Sequence, residues 1–122
     1  MIKQQQQTFN DGIVKIYEVT DISAPGDKPV EGLEHKLTLR YRRRTVGMSR
    51  YYTAMQANVQ IDKMIRCQAH EDVSSQDIAI IGATQYRIGQ IQYPEDVVPP
   101  VMDLSLSKLE QKYEINKDKE NP

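Results

Sequence analysis

The sequence predicts a mainly β protein, a small antiparallel β-barrel with one short helix and long loops. Short runs of β-branched and aromatic residues carry that expectation, together with turn-forming residues recurring about every eight to twelve positions. A length of 122 residues supports a single hydrophobic core. Residues 1–11 are expected to be a flexible lead-in, 12–114 one β-barrel domain, and 115–122 a disordered charged tail.

The first strand is expected at Gly12 to Thr20 (GIVKIYEVT), where Ile13, Tyr17 and Val19 occupy one register and Val14 and Ile16 the other. Asp21 to His35 contains two prolines, two glycines and four acidic residues without periodicity, and reads as a long exposed loop. Lys36 to Arg42 alternates Leu37, Leu39 and Tyr41 with Lys36, Thr38, Arg40 and Arg42, a strand with one wet face. From Arg43 to Gly47 the alternation stops and a turn is expected.

Ser49 is placed to cap a short helix through Tyr51, Ala54, Met55 and Asn58. The alternative is a strand, because Tyr51, Thr53, Met55, Ala57, Val59 and Ile61 also form a period-two stripe. The helix is preferred: Ala54, Met55, Gln56 and Ala57 are good helix formers, and β-branched residues become dense only from Val59. Lys63 to Ala69 then forms a strand with Ile65, Cys67 and Ala69 on its apolar side. Asp77 to Gln92 (DIAIIGATQYRIGQIQ) has the pattern of a hairpin: an apolar run Ile78 to Ile81, a glycine-led turn, then Tyr86, Ile88 and Gln90 alternating with Arg87, Gly89 and Ile91. A Pro-rich connection, Tyr93 to Pro100, leads to a last run from Val101 to Tyr113.

The lone cysteine, Cys67, cannot form an intrachain disulfide and is expected to be a small buried apolar residue. No run approaches the roughly 18 apolar residues that span a bilayer, and MIKQQQQ lacks the apolar core of a secretory signal, so no membrane association is expected. His35 and His70 stand in no ligand spacing with each other or with Cys67. The six glycines form no phosphate-binding loop, and no serine sits in a nucleophile elbow. The expectation is therefore a protein that is not an enzyme and has no cofactor and no metal.

A net charge of −1 argues against a dedicated nucleic-acid-binding domain, yet Lys36, Arg40, Arg42, Arg43, Arg44 and Arg50 cluster within one acid-free stretch. Two readings stand: a phosphate-contacting surface, since Arg offers forked donors and Tyr41 a stacking face, or an edge strand that charge protects from aggregation.

The ordered strings V-G-x-S-R-Y-Y-x-A-x-Q-A-N, K-M-I-R, D-I-A-I-I-G-x-x-Q-Y-R-I-G-Q-I-Q and D-L-S-L-S-K-L-E resemble the head-tail joining proteins of long-tailed DNA bacteriophages, also called head-closure or stopper proteins. The resemblance runs from about Gly12 to Tyr113, with Tyr86-Arg87-Ile88 after Gly82 its best marker. It implies a virion protein of the neck, assembled in the host cytoplasm. Its partners would be copies of itself in a homo-oligomeric ring, expected to be a dodecamer, the portal-adaptor complex, a tail-side protein and the packaged double-stranded DNA in the channel. The family's channel loop corresponds here to Arg42 through Arg50. Electrostatics assigns Arg40, Arg42, Arg43, Arg44 and Arg50 to the DNA, and Asp21, Asp27, Glu31 and Glu34 to a protein neighbour. The alternatives are a tail terminator or other neck protein, and a free nucleic-acid-binding small β-barrel.

Overall fold

A computed structural model describes residues 8–45 and 60–115. Seven strands follow one another: β1 (Gly12–Asp21), β2 (Glu31–Arg44), β3 (Lys63–Gln68), β4 (Ile78–Ile81), β5 (Thr84–Gln92), β6 (Val101–Lys108) and β7 (Glu114–Ile115). The first six close into a ring of hydrogen-bonded strands in the order β1-β4-β5-β6-β3-β2, with β2 pairing back onto β1. Every pairing within the ring is antiparallel, whereas β7 adds to β2 in parallel. The chain is thus mainly β, and no helix occurs among the described residues. The helix expected over Ser49 to Asn58 lies outside them.

Alternation along each strand fills the ring. Val14 and Ile16 of β1, Tyr41 of β2, Ile65 and Cys67 of β3, Ala79 of β4, Tyr86 and Ile88 of β5, and Met102, Leu104 and Leu106 of β6 form the main core, to which Val73 adds from the β3–β4 connection. Each fully buried large aliphatic side chain contributes about 1.5–3 kcal/mol. A second, smaller cluster lies outside the ring, where Tyr17, Leu33, Ile78 and Ile80 are covered by Leu109, Tyr113 and Ile115. This explains the solid apolar run of β4, whose Ala79 and Ile81 face the main core while Ile78 and Ile80 face the second. Gln85 anchors the returning chain, donating from Nε2 to the Tyr113 carbonyl (2.9 Å) and accepting from the Tyr113 amide (2.8 Å).

The Gly82-Ala83 turn joins β4 to β5 in two residues, with Gly82 at φ 62°. A positive φ at the first central position alone is the type II′ pattern, which glycine adopts without steric cost.

Several boundaries differ from those the sequence suggests. Asp21 to His35 is not one long loop: β2 begins at Glu31, so the connection shrinks to nine residues, 22–30. The β1 ladder organises Glu31 to His35 despite their sparse apolar content. A register shift there passes over Lys36, so Leu37 and Leu39 turn to the main core while Leu33 and its β1 partner Val19 turn to the outer cluster. In β5 a second irregularity at Gly89 brings Ile91 to the core side with Tyr86 and Ile88, and sets Gln90 against Ser105 on the other face. The last run ends at Lys108 rather than Tyr113, and Ile115, placed in the tail by the sequence, pairs with Leu33 in β7. Asp11 is already fixed, its amide bonded to the Tyr41 carbonyl at 3.0 Å.

Candidate interaction surfaces on the long hairpin

The β1–β2 hairpin runs past the β1–β4 pairing at one end and past the start of β1 at the other. At one end β1 pairs with β4 only through Tyr17, leaving Glu18 to Asp21 and Glu31 to Glu34 as a two-stranded arm flanked by β7. At the other, Arg42, Arg43 and Arg44 run past Gly12, the first residue of β1, and pair with β3. Nine residue steps along β1 separate these ends by about 30 Å at the usual rise of about 3.3 Å.

The basic end is built by β alternation. Arg42 is the register partner of Arg66 and Arg44 of Met64, while Tyr41 and Cys67 point into the core. Arg40, Arg42 and Arg44 therefore share the outward face at intervals of about 7 Å. Arg43 belongs to the opposite face beside Ile65 at the open rim, and its amide donates to Asp11 Oδ2 at 2.8 Å. Arg40, Arg43 and Arg44 are exposed and Arg42 is half-buried. No ion pair joins these four side chains to a carboxylate among the described residues. Lys36 leaves the patch: its Nζ sits 2.9 Å from Asp77 Oδ2 and also donates to the Asp72 carbonyl. Arg50 lies outside the described residues.

Arg66, unassigned by the sequence, is the one arginine of this face whose charge is balanced. Its Nε and Nη2 donate to Asp103 Oδ1 and Oδ2 at 2.7 and 3.0 Å. The hydrogen bonds to Asp103 raise the guanidinium's pKa further, against burial. Alternation around Cys67 places Arg66 on the outer side, but its partner lies 37 residues away and becomes visible only with the β3–β6 register.

The acidic end is built differently. Asp21 Oδ1 accepts from the Ser23 amide (2.9 Å), the Ser23 hydroxyl (2.7 Å) and the Val30 amide (3.2 Å), bonds that hold its carboxyl below the usual range. It is the clamp of the arm's loop. Asp27 lies in the turn closed by its amide on the Ala24 carbonyl, beside Gly26 at φ 88°. Glu31 stands directly across from Asp21, and Glu34 from Glu18. Two like-charged pairs thus stand in register, on opposite faces of the arm. Of the four acidic residues expected in one loop, Asp21, Glu31 and Glu34 are strand residues and Asp27 alone is in the connection.

Elsewhere a cleft of about 810 Å³ runs between the arm and the C-terminal segment, lined by Val30, Glu31, Arg87, Lys108, Lys112 and Tyr113 among others. Its charges alternate in sign and no nucleophile is paired with a base in it. Among the described residues no group of three or more His, Cys, Asp or Glu is placed to hold a metal ion, and no helix is long and apolar enough to cross a membrane. Burial pushes the Cys67 thiol up to about 12, which keeps it protonated and inert. No protein-family model matches the chain, and no curated protein matches it significantly.

Proposed function

We propose that the chain is a structural subunit of a phage neck, a head-closure (stopper) protein that forms a ring below the portal and adaptor, retains packaged DNA and offers a surface to the tail. The observation that supports this most directly is the separation of charge along the β1–β2 hairpin. Arginines without a carboxylate partner among the described residues gather where β2 runs past β1 and pairs with β3, and carboxylates gather on the arm about 30 Å away. A subunit of a ring around DNA needs such an arrangement, one basic region for phosphates and another surface for protein neighbours. Three of the four motif strings behind the resemblance also fall on strands of the ring: K-M-I-R on β3, the hairpin string on β4 and β5, and D-L-S-L-S-K within β6; the first lies outside the described residues.

The test is cosedimentation of the purified protein with DNA-filled, tailless heads carrying their portal and adaptor, with DNA leakage followed in parallel. Binding with reduced leakage is expected. Failure to bind, or absence from the neck in images of particles, would remove the reading.

A free nucleic-acid-binding barrel is the second reading, favoured by the regular spacing of Arg40, Arg42 and Arg44 on one face. It requires DNA binding by the isolated subunit with a steep salt dependence that weakens when these arginines become alanine.

A further inference from the structure

We infer that the acidic arm of one subunit docks on the outward arginine face of a second copy, in a head-to-tail contact. The inference rests on the ring proposed above, and it identifies which surfaces make that ring.

Three observations converge on it. The two charged regions lie about 30 Å apart along the same hydrogen-bonded hairpin, so a subunit cannot satisfy one with the other. On the arm, Asp21 stands directly across from Glu31, and the exposed Asp27 lies in the connecting turn, so acid is concentrated at the arm's tip. On the arginine face, Arg42 stands beside Arg66, whose charge Asp103 already neutralises, and no carboxylate among the described residues pairs with Arg40, Arg42 or Arg44.

Because the two surfaces differ, the contact is heterologous, and its repetition closes into a ring when the rotation per subunit allows. A two-fold contact would instead bring arm to arm or arginine to arginine, which like charge disfavours. The arrangement also divides the arginines. Arg40, Arg42 and Arg44 serve the neighbouring copy, and Arg43, on the opposite face at the rim, keeps its guanidinium for DNA.

The experiment uses the full chain in sedimentation velocity at about 50 mM and about 500 mM salt, conditions between which the screening length falls several-fold. One variant reverses the arm, Asp27→Lys with Glu31→Lys, leaving the Asp21 clamp intact. The other reverses the face, Arg40→Glu with Arg44→Glu. All four positions are exposed, and thermal unfolding of each variant verifies the fold. The wild type is expected to associate at low salt and disperse at high salt, and each variant alone to associate at least about tenfold more weakly. The equimolar mixture is expected to recover association, because the lysine arm of one then meets the glutamate face of the other and the native pairing holds at the alternate contact. A wild type that stays monomeric at low salt, variants that associate like the wild type, or a mixture that does not recover would each overturn the inference.

Cosedimentation with heads separates the two claims. Association that follows the charge swap without head binding would leave the contact standing and remove the neck reading. Head binding by folded subunits whose association ignores the swap would do the reverse.

Discussion

Arg66 and Asp103 face each other across β3 and β6 on the side of the sheet away from the main core, joined by two hydrogen bonds of 2.7 and 3.0 Å with only 7% and 6% of their surfaces exposed. Asp103→Ala strands a buried guanidinium beside Arg42, and urea unfolding is expected to show a loss of about 3–5 kcal/mol. The pair replaced together, Arg66→Met with Asp103→Leu, is expected to lie much closer to wild type. A single substitution as mild as the double one would mean that the pair is wetter than its geometry indicates.

That pair also marks the limit of what the sequence revealed. The β4–β5 hairpin, β1 and the strand at Lys63 were legible because apolar alternation is local. The start of β2 was not, because Glu31 to His35 contains only Leu33 as a core residue and owes its extended form to β1. The irregularities at Lys36 and Gly89 hid which face Leu33 and Ile91 join, since each adds one residue to an otherwise regular period. The clusters of arginine and carboxylate were visible as composition. Their division between two faces and two ends of one hairpin required the register.

Cys67 provides a test at alkaline pH. Its folded thiol titrates at about 12 against an ordinary value of 9.0, so between those values the native state holds a proton that the unfolded chain releases. Stability from this group is complete below about 9 and falls as pH rises toward 12. Cys67→Ala is expected to remove that part of the decline, seen as a shallower slope of unfolding free energy against pH than wild type. In native protein at neutral pH, Ellman's reagent is expected to label Cys67 only as fast as the chain unfolds. Rapid labelling under native conditions would contradict its burial.

Gln85 holds the segment that covers β4. Replacing it with alanine leaves the Tyr113 amide and carbonyl without partners, a loss of about 1–3 kcal/mol. Hydrogen exchange is expected to accelerate in 109–115 before it does in β3 and β6. Gly32→Ala should loosen the same region from the other side, since a Cβ there meets the Ile22 side chain and lies 2.8 Å from the Glu114 carbonyl oxygen. Both variants are expected to expose Ile78 and Ile80 and to bind a hydrophobic dye. Unchanged exchange in 109–115 would show that the apolar contacts of Leu109, Tyr113 and Ile115 suffice.

Asp21 sets the acid limit of the arm. Its carboxylate accepts three hydrogen bonds, which lower its folded pKa below the ordinary 3.8, so the ionised form is the one that the arm's loop selects. A depressed acid pKa contributes order that is fully present above 3.8 and lost as pH falls through the folded value. Because the group is exposed, the effect is local, and it is read by the exchange of the Ser23 and Val30 amides rather than by global unfolding. Asp21→Ala is expected to remove the protection of both amides at every pH. Asp21→Asn keeps an acceptor oxygen in place, so it is expected to retain weaker protection and to lose the acid step. An acid step that persists in the asparagine variant would remove its assignment to Asp21.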